Sequence, residues 1–283
     1  MALAAGLALP AMAAETSVNG TFALPGAAEK ASGTVTVRET GPLTRELVIG
    51  FADKATGKAI TRFDEELTKK LHLLGTDAQF STFIHEHAAK PESDGRLRVS
   101  VRFPKPGLYR LYADASPTGL GQQVVRFDVP VGSVPEVPAA STSDGGAATS
   151  ETMPLEARDG RYSVRLASPA LRAGSEGMIE LSILKDGKPA TDLKPYLGVA
   201  AHAVLIAKSD LSYVHTHASG AEDAGAHSGG HGMHHSKARP DGNASKLLLH
   251  VTPPRAGAYA LWIQFEAGGE VRTVPFTLSV SPA

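Results

Sequence analysis

The chain has 283 residues, a nearly balanced charge (28 Lys and Arg against 29 Asp and Glu) and no cysteine. That balance excludes the clustered basic surface of a nucleic-acid binder. The absent thiols exclude disulfides, a thiolate nucleophile, Cys-ligated zinc and a blue-copper centre.

Residues 1–14 are a short apolar run ending in small residues, with Ala11-Met12-Ala13 fitting an A-x-A cleavage signal. They read as a signal peptide, which places the mature protein in the periplasm or outside the cell. The run is too short to span a bilayer. It also lacks a basic n-region, so the leader is expected to start upstream of residue 1. No later segment approaches a membrane span.

The first domain is expected over 15–131. Strand-like runs occur at Val35–Val37, at Leu47–Phe51 and, after Gly57-Lys58, at Leu71–Leu74. Phe63–Lys70 has room for one helical turn, which periodicity does not decide. A turn near Gly75–Gln79 then leads into a strand over Phe80–His87. Arg96–Phe103 alternates cleanly, with Leu97, Val99, Val101 and Phe103 on one face, as in a half-buried antiparallel strand. Pro104-Lys105-Pro106-Gly107-Leu108-Tyr109 precedes two further runs, Leu111–Ala113 and Val124–Val129. With 29 Gly and 19 Pro supplying turns, the expectation is an all-β protein of about seven strands per domain, closed as an immunoglobulin-like antiparallel β-sandwich.

Residues 132–155 are expected to be a linker. Pro138–Gly146 is small and polar, with too little apolar surface to offset the entropy of ordering it. The second domain, 156–283, repeats the first. Gly187-Lys188 stands where Gly57-Lys58 does, and at the same spacing of 130 residues His202, His215 and His217 match His72, His85 and His87. Flanks agree as well: Phe83-Ile84-His85-Glu86-His87-Ala88 aligns with Tyr213-Val214-His215-Thr216-His217-Ala218. The Pro-Gly-Tyr segment recurs at Pro254-Arg255-Ala256-Gly257-Ala258-Tyr259. The chain is therefore read as two tandem sandwiches.

His85 and His87 are two apart, so on a strand both rings leave the same face. If His72 pairs with either across a hairpin, its ring joins them, because directly paired residues point the same way. A one-residue slip would send it to the other side. Three converging imidazoles are the ligand set of a His₃ metal site, and the second copy repeats it. A lone histidine on a strand is usually a hydrogen-bonded side chain; it is the triple, present twice in register, that points to ligation. Asp77 and Asp210 sit at different distances from their histidines and read as turn-forming. His250 has no counterpart and reads as structural.

The second copy carries 20 extra residues between His217 and Gly257. This His-rich loop, 219–243, contains His227, His231, Met233, His234 and His235, which are candidate auxiliary ligands. Imidazole suits Cu(II), Zn(II) and Ni(II), with copper heading the affinity order. Met233 adds a soft ligand that leans toward copper. Neutral imidazole is the binding form, so affinity is expected to fall below about pH 6.5.

An apolar run with His, then Asp210-x(4)-His215-x-His217, then P-x-x-G-x-Y, resembles bacterial exported immunoglobulin-like domains of the YtkA/FixH-like type. These are often found alongside heavy-metal and copper-handling systems. The usual pattern ends H-x-H-P, whereas Ala88 and Ala218 stand at the proline here, and the first copy has its Asp at position 77. The resemblance implies an exported sandwich associated with metal handling.

The leading expectation is a copper-binding buffer, delivery or resistance protein, exchanging its ion with an exporter or a recipient metalloprotein. One alternative is a structural or interaction module of the cell envelope. Another is a zinc-dependent hydrolase, since an open His₃ site activates water. That reading needs a positioned base, and Glu86 leaves the opposite face of its strand. No nucleophile elbow or nucleotide-binding loop occurs, so the chain is read as a non-enzyme.

Overall fold

Runs that alternate apolar and polar residues with period two form strands throughout the chain, because that spacing gives each strand one face to bury. The computed structural model describes residues 15–88, 90–133, 154–167, 169–220 and 245–283. The expected signal peptide and most of the expected linker lie outside them. The chain divides into two compact units.

In the first unit the strands are β1 (Glu15–Asn19), β2 (Thr21–Phe22), β3 (Ala31–Gly41), β4 (Thr44–Asp53), β5 (Phe63–Asp64), β6 (His72–Asp77), β7 (Ile84–His87), β8 (Leu97–Arg102), β9 (Gly107–Pro117) and β10 (Gln123–Val131). One sheet has the order β1-β3-β4-β8 and the other β2-β10-β9-β6-β7, with β5 added beside β9. In immunoglobulin terms β3, β4 and β8 are strands A, B and E, facing β10, β9, β6 and β7 as G, F, C and C′. Leu47, Ile49, Leu97 and Val99 from one sheet meet Leu73, Leu111, Ala113, Val125 and Phe127 from the other in a single core. Burial of each such Leu, Ile, Val or Phe contributes roughly 1.5–3 kcal/mol.

The second unit comprises β11 (Glu156–Asp159), β12 (Tyr162–Leu166), β13 (Leu171–Arg172), β14 (Gly177–Lys185), β15 (Lys188–Pro189), β16 (Leu193–Lys194), β17 (Ala201–Ala207), β18 (Tyr213–Gly220), β19 (Lys246–Val251), β20 (Gly257–Ala267) and β21 (Glu270–Ser281). Its strand order matches the first, with β12-β14-β19 against β18-β17-β20-β21. Here β18 is long enough to pair with β19, Ala218 opposite Leu249, so the two halves join into one continuous sheet.

Both units carry a tyrosine corner, a mark of immunoglobulin-like sandwiches. The Tyr109 hydroxyl donates to the Lys105 carbonyl at 2.9 Å, and the Tyr259 hydroxyl to the Arg255 carbonyl at 2.9 Å. These tyrosines are the ends of the repeated Pro-Gly-Tyr segments. The fold is all-β, two tandem immunoglobulin-like sandwiches.

Three details differ from the sequence reading. The described residues hold more strands than the expected seven per unit, because two-residue pieces such as β2, β5 and β16 pair onto sheet margins without a legible period. Phe63–Lys70 contains no helical turn: Phe63–Asp64 pairs with β9, and Glu66 and Lys69 bridge across a tight turn. Finally, the strand before the hairpin continues through Gly75 to Asp77, and the one after it starts at Ile84 rather than Phe80.

Candidate metal centres

Register decides whether three histidines on two strands can meet. His72 on β6 lies opposite His87 on β7, and Leu74 opposite His85. His72 and Leu74 share a face, and so do His85 and His87, so the three rings leave one side of the sheet. Leu73, between them on β6, goes to the core. In the second unit His202 pairs with His217 and Val204 with His215. The register is the same.

Gly75 lets β6 lie this close to its neighbour β9. A Cβ there would come within 2.6 Å of the Arg110 carbonyl oxygen and of a Leu111 methyl. Asp77 closes the hairpin: its carboxylate accepts from the Ser81 amide at 2.7 Å and the Thr82 amide at 3.0 Å, and pairs with Lys105 at 2.8 Å. Burial pushes the Asp77 carboxyl up, but the bonds from Lys105, Ser81 and Thr82 outweigh it and hold the group below the usual carboxylate range. Asp210 does similar work, accepting from the Ser212 amide at 3.0 Å and pairing with Arg255. Both acids form turns, as their positions imply. His250 pairs with Glu176 at 3.1 Å, and its carbonyl accepts from the Thr216 hydroxyl at 2.7 Å, so it lies beside the second triad without being one of its ligands.

The ring nitrogens converge. His72 Nδ1 is 3.2 Å from His85 Nε2, and His87 Nε2 is 3.1 Å from the same atom. His202 Nδ1 is 3.4 Å from His215 Nε2. Within each triad the three candidate ligand atoms all lie within 4.8 Å of one another. Tetrahedral ligands about 2.0–2.1 Å from a metal ion stand about 3.3 Å apart, so the donor set fits one ion per triad. His72 and His202 are buried, and their four partners are half-buried, leaving each cluster with one sealed and two approachable rings.

A backbone carbonyl orients each buried ring. His72 Nε2 lies 3.0 Å from the Glu66 carbonyl oxygen, and His202 Nε2 3.1 Å from that of Tyr196. A carbonyl only accepts, so Nε2 carries the proton and Nδ1 turns a lone pair toward the other two rings. In the first triad, a proton on His85 Nε2 can form one linear bond, to His72 or to His87, not both. A cation satisfies all three lone pairs at once. The carbonyls stand six residues before their histidines, in matching turns with positive φ at Leu67 (48°) and Thr68 (69°), and at Leu197 (51°) and Gly198 (85°).

All six expected ligands thus lie in two clusters. The two orienting carbonyls have no counterpart among the sequence expectations, because a backbone oxygen carries no residue-type signal; only the structure shows that both stand six residues before their histidines. Glu86 sits opposite Leu73, so its side chain leaves the reverse face from the rings, and desolvation raises its carboxyl. His227, His231, Met233, His234 and His235 lie outside the described residues. Among the described residues no helix is long and apolar enough to cross a membrane.

Comparison with known proteins adds little about chemistry. No curated protein matches the sequence. Among solved structures, the Escherichia coli adhesin FdeC, described as broadly conserved and as eliciting protection against urinary tract infections, is 14% identical, with a TM-score of 0.25. The match covers 89% of this chain and 64% of that one, so this chain spans less than two thirds of its length. At so low a score the fold assignment rests instead on strand order and the tyrosine corners. One family model matches both halves of the chain, over residues 28–133 and 156–282. The protein therefore belongs, through each of its two repeats, to the family described as Domain of unknown function (DUF8832).

Proposed function

We propose that this protein binds a transition-metal ion in each repeat, through His72, His85 and His87 in the first and His202, His215 and His217 in the second. It acts outside the cytoplasm in copper buffering, delivery or resistance, and is not an enzyme. The observation that carries the reading is the recurrence, in two separate hairpins, of ring nitrogens spaced 3.1–3.4 Å apart with the buried ring held by a carbonyl.

Copper is favoured over zinc and nickel by its place at the head of the affinity order for nitrogen ligands, and by the resemblance to exported domains associated with copper handling. The leader-like residues 1–14 support an extracytoplasmic location. Two half-buried ligands per centre suit an ion that is passed on to an exporter or a recipient metalloprotein. A hydrolase would need a base reaching the ligand side; Glu86 leaves the other face, and Asp114, which shares the face of His72, is buried with both oxygens accepting from Gln122.

Titration of untagged residues 15–283 with Cu(II), Zn(II) and Ni(II) tests this. His215→Ala with His217→Ala removes about one equivalent of tight binding, and His85→Ala with His87→Ala removes another. A chain that binds no ion tightly at either triad is left as an envelope interaction module.

A further inference from the structure

The two triads match in their ligand atoms and differ in the charge around them. In the first, β6 lies between β7 and β9, so His72 has His87 as its partner on one side and Asp114 on the other. Paired residues send their side chains to the same face. Asp114 is only 2% exposed, and both its oxygens accept from the Gln122 amide, at 3.0 and 3.1 Å. The residue whose carbonyl orients His72 is Glu66, whose carboxylate accepts from the Ser116 hydroxyl at 3.2 Å. Glu86 lies between two of the ligands in sequence, but its side chain leaves the reverse face, so Asp114 is the carboxylate on the ligand side. Of the cations in the same loop, Lys70 is turned to the Phe63 carbonyl at 2.8 Å and to Glu65, while Lys69 bridges Glu66 across the turn through its backbone.

The second triad has a neutral residue at each of these positions. Gln264 pairs with His202 where Asp114 pairs with His72, and its amide donates to the Thr273 hydroxyl at 2.9 Å. Tyr196 supplies the carbonyl, and its ring stands edge-on to His202 with centroids 5.2 Å apart. Thr216 takes the place of Glu86.

Three neutral imidazoles leave the full charge of a bound ion uncompensated. A carboxylate on the next strand attracts a dication twice as strongly as a monocation. At a separation of about 8 Å and an effective dielectric of about 20, this difference shifts selectivity by about tenfold or more. We infer that the two centres are specialised by charge. The first selects divalent over monovalent ions, and the second is the centre suited to a monovalent ion, Cu(I) if the cargo is copper. This inference rests on the metal-binding reading above.

The test uses the full chain with one triad disabled at a time, His85→Ala with His87→Ala or His215→Ala with His217→Ala. A variant lacking both triads sets the background from His227, His231, His234 and His235. Each variant is titrated with Zn(II) and with Ag(I), redox-inert ions of the two charges, and the ratio of affinities is compared between centres, which cancels the intrinsic preference of imidazole. The ratio Zn(II) to Ag(I) is expected to be at least about tenfold higher for the first centre. Asp114→Asn lowers it toward that of the second centre. Gln264→Asp raises the ratio of the second, and decides the matter if Asp114→Asn impairs folding in a thermal melt. Equal ratios at two functional centres, or a ratio indifferent to both substitutions, would overturn the charge specialisation and leave metal binding intact. Absence of binding at both triads would overturn both.

Discussion

His72 Nε2 lies 3.0 Å from the carbonyl oxygen of Glu66, and this contact fixes which of its nitrogens faces His85. The buried ring of each centre is thereby set to bind through Nδ1, while its two partners offer Nε2. A mixed donor set is a specific expectation. In ¹⁵N-edited spectra of the imidazole rings, His72 and His202 should keep a proton on Nε2 in the ion-free chain and retain it on loading with Zn(II). A proton on Nδ1 of either ring before loading would contradict the assignment.

Gly75→Ala should separate the two centres. The new methyl would meet the Arg110 carbonyl at 2.6 Å, and backbone does not yield as a flexible side chain does. A clash of this kind costs about 1–3 kcal/mol, and it pushes β6 away from β9, displacing His72. Stability of the first unit and ion affinity at the first triad should both fall, with the second triad unchanged. Chemical denaturation combined with Zn(II) titration measures the two effects.

Asp77 gives the first hairpin an acid-sensitive hinge. Because its carboxyl is held below the usual range, it binds a proton less readily folded than unfolded. Its contribution is therefore complete above the ordinary Asp value of about 3.9 and disappears as pH falls through the lower, folded value. Asp77→Asn should cost about 1–3 kcal/mol at neutral pH, since buried amide donors and Lys105 lose a charged acceptor. The same variant should also flatten the decline in stability below about pH 4. Denaturation curves across pH 2–7 check both.

Each tyrosine corner should stabilise its own unit. Loss of one buried hydroxyl–carbonyl bond costs about 1 kcal/mol, so Tyr109→Phe and Tyr259→Phe should each shift one unfolding transition and spare ion binding. A shift in affinity at either triad would show that the corner also positions the ligands.

Much of this architecture was legible in the residues. The period of two that aligns His85 with His87, and the constant offset of the repeat, placed all six ligands on matching hairpins. The turn before Phe80 allowed His72 to pair with either His85 or His87, and the register of the hairpin selects His87. The orienting carbonyls were hidden because a backbone oxygen has no residue-type signature. Their turn is also built in part from Leu67 and Thr68 at positive φ, where Gly or Asn would be expected. The charge difference between centres was equally hidden. Asp114 lies 42 residues beyond His72, and only strand order makes them neighbours. The joining of β18 to β19 depends on strand length, which alternation sets only loosely.

Anomalous scattering from crystals of the metal-loaded chain tests the central claim most directly. Metal binding at the triads predicts one peak per unit, about 2.0–2.1 Å from Nδ1 of the buried histidine and from Nε2 of its two partners. Saturating metal with no peak at either triad, or a peak contacting fewer than two of the three rings, would contradict it.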